Sequence, residues 1–235
     1  ELAMEMGKSV AVMSTEGADG ATPADFSAHS DGRYNDDEII ADQENFKGLL
    51  VDGYNNYKNY TASEFATWDS LFKAGLNSVA ADPDGFFIMY EEAHIDKVCH
   101  QLNFTSSAGY TGTQDMEVLF RTVYRFNQAI GTFMEYALYN PDTAVLITAD
   151  HETSGLNSSF KPTEGNPVDE QKYGSVWNHS LQDVPVFTYG VGMDIFDGET
   201  VENASIGRTF AHVMTDGNAS DFGDPTYPII GGESG

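Results

Sequence analysis

Three short stretches carry residues able to hold metal ions. Asp96 and His100, in EEAHIDKVCH (91–100), stand four residues apart, a spacing that puts both side chains on one face of a helical turn. Asp150 and His151 are adjacent, directly after the apolar run AVLIT. His179 precedes a further apolar run, VPVFTYG, and Glu91 closes the run FFIMY. Three imidazoles and three carboxylates suit two borderline-soft cations such as Zn2+ and one harder ion such as Mg2+. Each piece alone has a plainer reading. An Asp-x-x-x-His pair is an ordinary surface-helix pair. An Asp-His dipeptide at a strand end is more specific, because burying both groups is costly without a partner. His29, His94 and His212 fall in helical or loop contexts and are expected to be solvated, and Cys99 to be a small core residue.

The elements that must position these residues follow from periodicity. KSVAVMST (8–15) reads as a strand after a short helix. ATPADFS opens a helix, with Thr22 as N-cap and Pro23 at its first position, and NDDEIIADQ continues in helical style. Residues 53–63 show no period and read as loop. An amphipathic helix spans 63–81, the turn DPDG follows, and FFIMYE (86–91) is a buried strand. A long helix over 113–140 leads to the strand AVLITAD, a last strand spans 184–192, and a helix over 203–216 has Asn203 as its cap. Strands and helices alternate, and the strands are apolar throughout rather than alternating with polar residues. This predicts an α/β fold, with a mostly parallel central sheet covered by helices on both faces, in a single domain over residues 1–235. In such sheets ligands bind beyond the carboxyl ends of the strands, where the candidate residues fall.

Composition narrows the partners. The 235 residues hold 37 Asp+Glu against 11 Lys+Arg, a net charge of −26, which repels nucleic acid and acidic membranes and attracts cations. A single cysteine excludes an intrachain disulfide framework, and no apolar run is long enough for a membrane span.

Taken in order, GFFIMYEEAHIDKVCH, TAVLITADHETSGL and NHSLQDVPVFTYGVG resemble the alkaline phosphatase family, and ATPADFSAH…GR near the start resembles its threonine loop and phosphate-binding arginine. The likeness covers roughly residues 1–48 and 63–216, and TADHETSGL differs little from the family's Thr-Ala-Asp-His-Glu-Thr-Gly-Gly. The resemblance implies that Asp96, His100 and His179 bind a first zinc, that Asp150 and His151 contribute to a second, and that Glu91 and Thr22 bind magnesium. It also implies that Arg33, eleven residues after Thr22, grips the phosphate of small monoester substrates. A periplasmic or extracellular location and a homodimer are expected on the same ground.

The chain also departs from the pattern. The family's nucleophilic serine and a metal-bridging aspartate are expected in segments preceding this sequence, since Ser14 and Ser27 lie in the wrong block. The expectation is therefore an N-terminally truncated fragment whose own hydrolytic activity is in doubt. Where the family has Asp or His two residues before the threonine, this chain has Gly20, so the magnesium surroundings are altered. The segment around 49–62 is shortened, and Lys97 has no assigned role. Two alternatives stay open: a related sulfatase or phosphodiesterase, and a catalytically inactive cation-binding protein.

Overall fold

The computed structural model describes residues 1–53, 62–100, 112–154 and 179–215. Two compact units emerge, one formed by Glu1–Ala129 with Thr153–Ser180, the other by Ile130–Glu152 with Leu181–Gly235.

The first unit opens with α1 (Leu2–Glu5) and β1 (Ser9–Ser14), followed by α2 (Ala21–Ser27), α3 (Asp36–Gln43) and β2 (Leu49–Asp52). Next come α4 (Ala62–Val79), β3 (Phe86–Glu91) and α5 (His94–Cys99). The sheet order is β2-β1-β3, with both ladders parallel. As the central strand, β1 must be apolar on both faces, and Val10, Ala11, Val12 and Met13 are all buried. Its register, Ala11 opposite Leu49 and Ile88 and Met13 opposite Val51 and Tyr90, puts these side chains on one face. There α4 lies, seating Phe72, Leu76 and Val79 on the sheet. At Gly75 a Cβ would come within 2.8 Å of the Met13 sulfur, so glycine lets the helix lie this close without displacing the methionine. The opposite face, carrying Val10 and Phe87, receives α2, whose Phe26 stacks on Phe87 at 6.1 Å. Helices thus cover both faces of this sheet, as the apolar strands predict. Parallel β2 was not anticipated, because four residues carry too little period to be read as a strand. Thr22 does not cap α2, which begins after Gly20, so the threonine is its second residue.

The long helix α6 (Gly112–Tyr139) begins in the first unit and ends in the second. β5 (Glu152–Thr153) pairs with β6 (His179–Ser180) in a two-stranded ladder.

In the second unit β4 (Ala144–Ile147) pairs antiparallel with β7 (Phe187–Gly190), Ala144 opposite Gly190 and Ile147 opposite Phe187. β7 is shorter than the apolar run 184–192, since Pro185 has no N–H to give a ladder. Gly190 ends it at φ +94°, where a Cβ would sit 2.0 Å from the Thr143 carbonyl oxygen. A 3₁₀ turn (Asp194–Phe196) and α7 (Asn203–Met214) complete the unit, with Met193, Phe196 and Ala211 buried. The residue preceding α7 is Glu202, so Asn203 is its first helical residue and not its cap.

Candidate metal centre

β3 ends at Glu91 and, three residues later, α5 starts, so the apolar strand delivers Asp96 and His100 one helical turn apart. β6 brings His179 to the same place. His100 Nε2 lies 3.1 Å from His179 Nε2 and 3.3 Å from Asp96 Oδ1, and His179 Nε2 lies 3.4 Å from that same oxygen. Four donors held tetrahedrally at zinc's usual 2.0–2.1 Å are about 3.3–3.4 Å apart along each edge. The triangle of Asp96 Oδ1, His100 Nε2 and His179 Nε2 matches one face of such a tetrahedron. The three side chains are about one-third exposed, so the group can be reached from solvent. Two imidazoles and one carboxylate, with no thiolate among them, are a nitrogen and oxygen donor set of the kind that holds zinc in catalytic sites.

Around this triangle lies a set of residues that periodicity alone does not reveal. Thr153 donates its hydroxyl to Asp96 Oδ1. Lys97, beside Asp96, is ion-paired with Glu16 at the end of β1. The Glu16 side chain lies where a side chain at residue 20 would stand: a Cβ on Gly20 would meet Glu16 Oε1 at 2.4 Å. Ser14 donates to Glu91 Oε2 at 2.5 Å, and Thr15 to Glu92 Oε1 at 2.8 Å, so the ends of β1 and β3 are tied side chain to side chain. Buried Arg125, from α6, grips both carboxylate oxygens of buried Glu92 and comes within 3.2 Å of His94 Nδ1. The one legible signal for Arg125 is its place on the buried face of α6 with Leu119, Thr122 and Ala129.

His94 corrects the sequence expectation, for it is fully buried rather than solvated. Burial, followed by the Arg125 and Lys97 charges, pulls its pKa from 6.5 to about 3, so it is a neutral core group. Burial pushes the Glu92 carboxyl up, against the Arg125 guanidinium and the Thr15 hydroxyl, which pull it down. Cys99 is buried as expected, and His29 is exposed between Glu1 and Asp42.

The remaining predicted residues are placed as follows. Glu91 stands at the carboxyl end of β3, bonded to Ser14, and Thr22 lies in the first turn of α2. Arg33, in the loop after α2, is exposed, with its guanidinium 5.2 Å from the Tyr34 ring centre. It lines a cavity of about 450 Å3 with Ala28, His29, Gly32 and Glu38. In the second unit Asp150 Oδ2 lies 3.1 Å from His151 Nε2, directly after β4.

Ser154 follows Thr153 at φ +75°, where a side chain costs about 1 kcal/mol, and its buried hydroxyl finds no partner among the described residues. The sequence pattern has glycine here. Ser154→Gly is expected to stabilise the chain by about 1 kcal/mol, raising Tm by about 2–4 °C in a thermal melt. A fall in Tm would show that the hydroxyl contributes more than the backbone strain removes.

Comparison with known proteins agrees with this architecture. Residues 41–174 match the family model described as Alkaline phosphatase. The alkaline phosphatase from the Antarctic bacterium TAB5 is similar in structure over 92% of this chain and 74% of its own, with 22% identity and a TM-score of 0.71. A mutant of that enzyme with Mg bound in its M3 site gives the same coverage and identity with a TM-score of 0.69. The cold-active alkaline phosphatase from a psychrophilic Shewanella species covers 92% of this chain and 77% of its own at 18% identity and a TM-score of 0.69. No curated protein sequence matches the chain.

Proposed function

We propose that this chain, which belongs to the alkaline phosphatase family, holds a catalytic zinc ion on Asp96, His100 and His179 as part of a phosphate monoester hydrolase. One observation carries this reading: the three donor atoms are spaced 3.1 to 3.4 Å apart. Bound there, zinc would supply a Lewis acid for the oxygens of a phosphoryl group. Asp150 and His151 are assigned to a second zinc, by the family pattern and by their strand-end position. Glu91 and Thr22 are assigned to magnesium, in keeping with a neighbouring fold that carries Mg. Ser14, donating to Glu91, orients that carboxylate. Arg33 presents five N–H donors on an exposed loop, a planar fork that suits a terminal phosphate with two charges better than a diester with one. The family further suggests a periplasmic or extracellular setting and a homodimer. Among the described residues no helix is long and apolar enough to cross a membrane.

Zinc X-ray absorption, paired with phosphate titration, tests the reading. The expected spectrum shows a nitrogen and oxygen shell at about 2.0–2.1 Å with imidazole scattering. Inorganic phosphate should bind the metal-loaded chain, and more weakly after Arg33→Ala. A zinc spectrum without imidazole, or phosphate binding indifferent to metal, would overturn the assignment.

A further inference from the structure

We propose that Thr153 is a positioning residue for the zinc site: its hydroxyl holds Asp96 so that a single carboxylate oxygen faces the two imidazoles. The proposal rests on the zinc reading of the Asp96, His100 and His179 triangle. Asp96 Oδ1 is the oxygen that lies 3.3 Å from His100 Nε2 and 3.4 Å from His179 Nε2, and it is also the oxygen that accepts the Thr153 hydroxyl at 2.5 Å. A carboxylate oxygen has two lone-pair sites in its plane. With one taken by Thr153, the other is left to point at the centre of the triangle. This fixes the carboxylate's rotation about its last bond and favours binding through one oxygen.

Thr153 is suited to this task. It is 8% exposed, so water does not compete for the bond. Branching at Cβ limits its side-chain rotamers, and a strand narrows them further. The strand that carries it, β5, pairs with β6, which carries His179, so one short ladder places both the imidazole and the hydroxyl that aims the carboxylate. The backbone turns into the left-handed region at the next residue, Ser154, which fixes where β5 ends. Asp96 and Thr153 are 57 residues apart, so neither periodicity nor local motif reveals the pairing. The plainer alternative is a threonine that packs against α5 and happens to touch a carboxylate. That role would be served equally by valine, which has the same shape and no donor.

The test is zinc competition against a chromophoric chelator, with the wild-type chain, Thr153→Val, Thr153→Ser and Asp96→Ala, alongside circular dichroism of each metal-free protein. Loss of a partner that orients a metal ligand typically weakens metal binding by about 10–100-fold. Thr153→Val should therefore bind zinc about 10–100-fold more weakly with its metal-free fold unchanged, and Thr153→Ser, which restores the hydroxyl, should return to within about threefold of wild type. Asp96→Ala should lose the site, which shows that the zinc being read is the one at the triangle. Wild-type zinc affinity in Thr153→Val, or Thr153→Ser no better than a folded Thr153→Val, overturns the role of Thr153 and leaves the zinc site standing. A wild-type chain that takes up no zinc through Asp96 overturns the site and the inference with it. Should Thr153→Val fail to fold, Thr153→Ala is read in its place against Thr153→Ser: about 10–100-fold weaker than the serine variant, it supports the hydroxyl, and equal to it, it refutes it.

Discussion

Arg125→Ala is expected to cost the folded chain about 3–5 kcal/mol, a large fraction of the stability of a domain this size. Arg125 and Glu92 are almost wholly removed from water, and the guanidinium meets the carboxylate through both Nε and a terminal nitrogen. A buried ion pair gives little net stability when intact, since desolvating both ions offsets most of their attraction. Removing one partner leaves the other charge uncompensated. With the guanidinium gone, Glu92 would keep the Thr15 hydroxyl and the His94 backbone N–H, which are too little for a buried carboxylate. It would take up a proton or draw in water beneath α5. Replacing both members, as Arg125→Met with Glu92→Gln, should recover most of the loss. Urea denaturation of the single and double variants checks this. A loss below about 1 kcal/mol for Arg125→Ala would mean that the pair is hydrated in solution.

The other large effect belongs to His179. His179→Ala removes one of the three donors of the triangle, so its effect on zinc affinity should exceed the 10–100-fold typical of a residue acting only through a ligand. His29→Ala is the control, because that imidazole is exposed and, among the described residues, paired with the surface carboxylates of Glu1 and Asp42. Competition titration of both variants reads the difference. Equal affinity for His179→Ala and wild type would remove His179 from the site. A like loss for His29→Ala would show that zinc is bound by the acidic surface at large.

The triangle was legible in the sequence because local rules reach most of it. Apolar run, turn and helix fix β3 and α5 from residues 86–100 alone, and the four-residue spacing puts Asp96 and His100 on one face. His179 enters through the resemblance, since nothing local separates it from a solvated histidine. The supporting groups are hidden for a physical reason: each pairs with a residue far along the chain. Thr153 meets Asp96, Arg125 meets Glu92, and Glu16 meets Lys97, 57, 33 and 81 residues apart. The pattern marks Arg125 only as a polar residue on a buried helix face, and it misreads His94 because one charged neighbourhood looks like another until burial is known. β2 escapes notice because its place is set by the neighbour it pairs with, not by its own four residues.

Glu16 and Gly20 carry a consequence for how this family can vary. The carboxylate that reaches Lys97 comes from residue 16 and crosses the space above residue 20, so the two positions share one volume. A side chain larger than hydrogen at 20 evicts the glutamate, and a short residue at 16 empties the room above the glycine. Neither change is neutral by itself, while the pair of changes can be. Across relatives the two sites should therefore covary: Asp or His at 20 should accompany a small residue at 16, and Gly at 20 a long acid at 16.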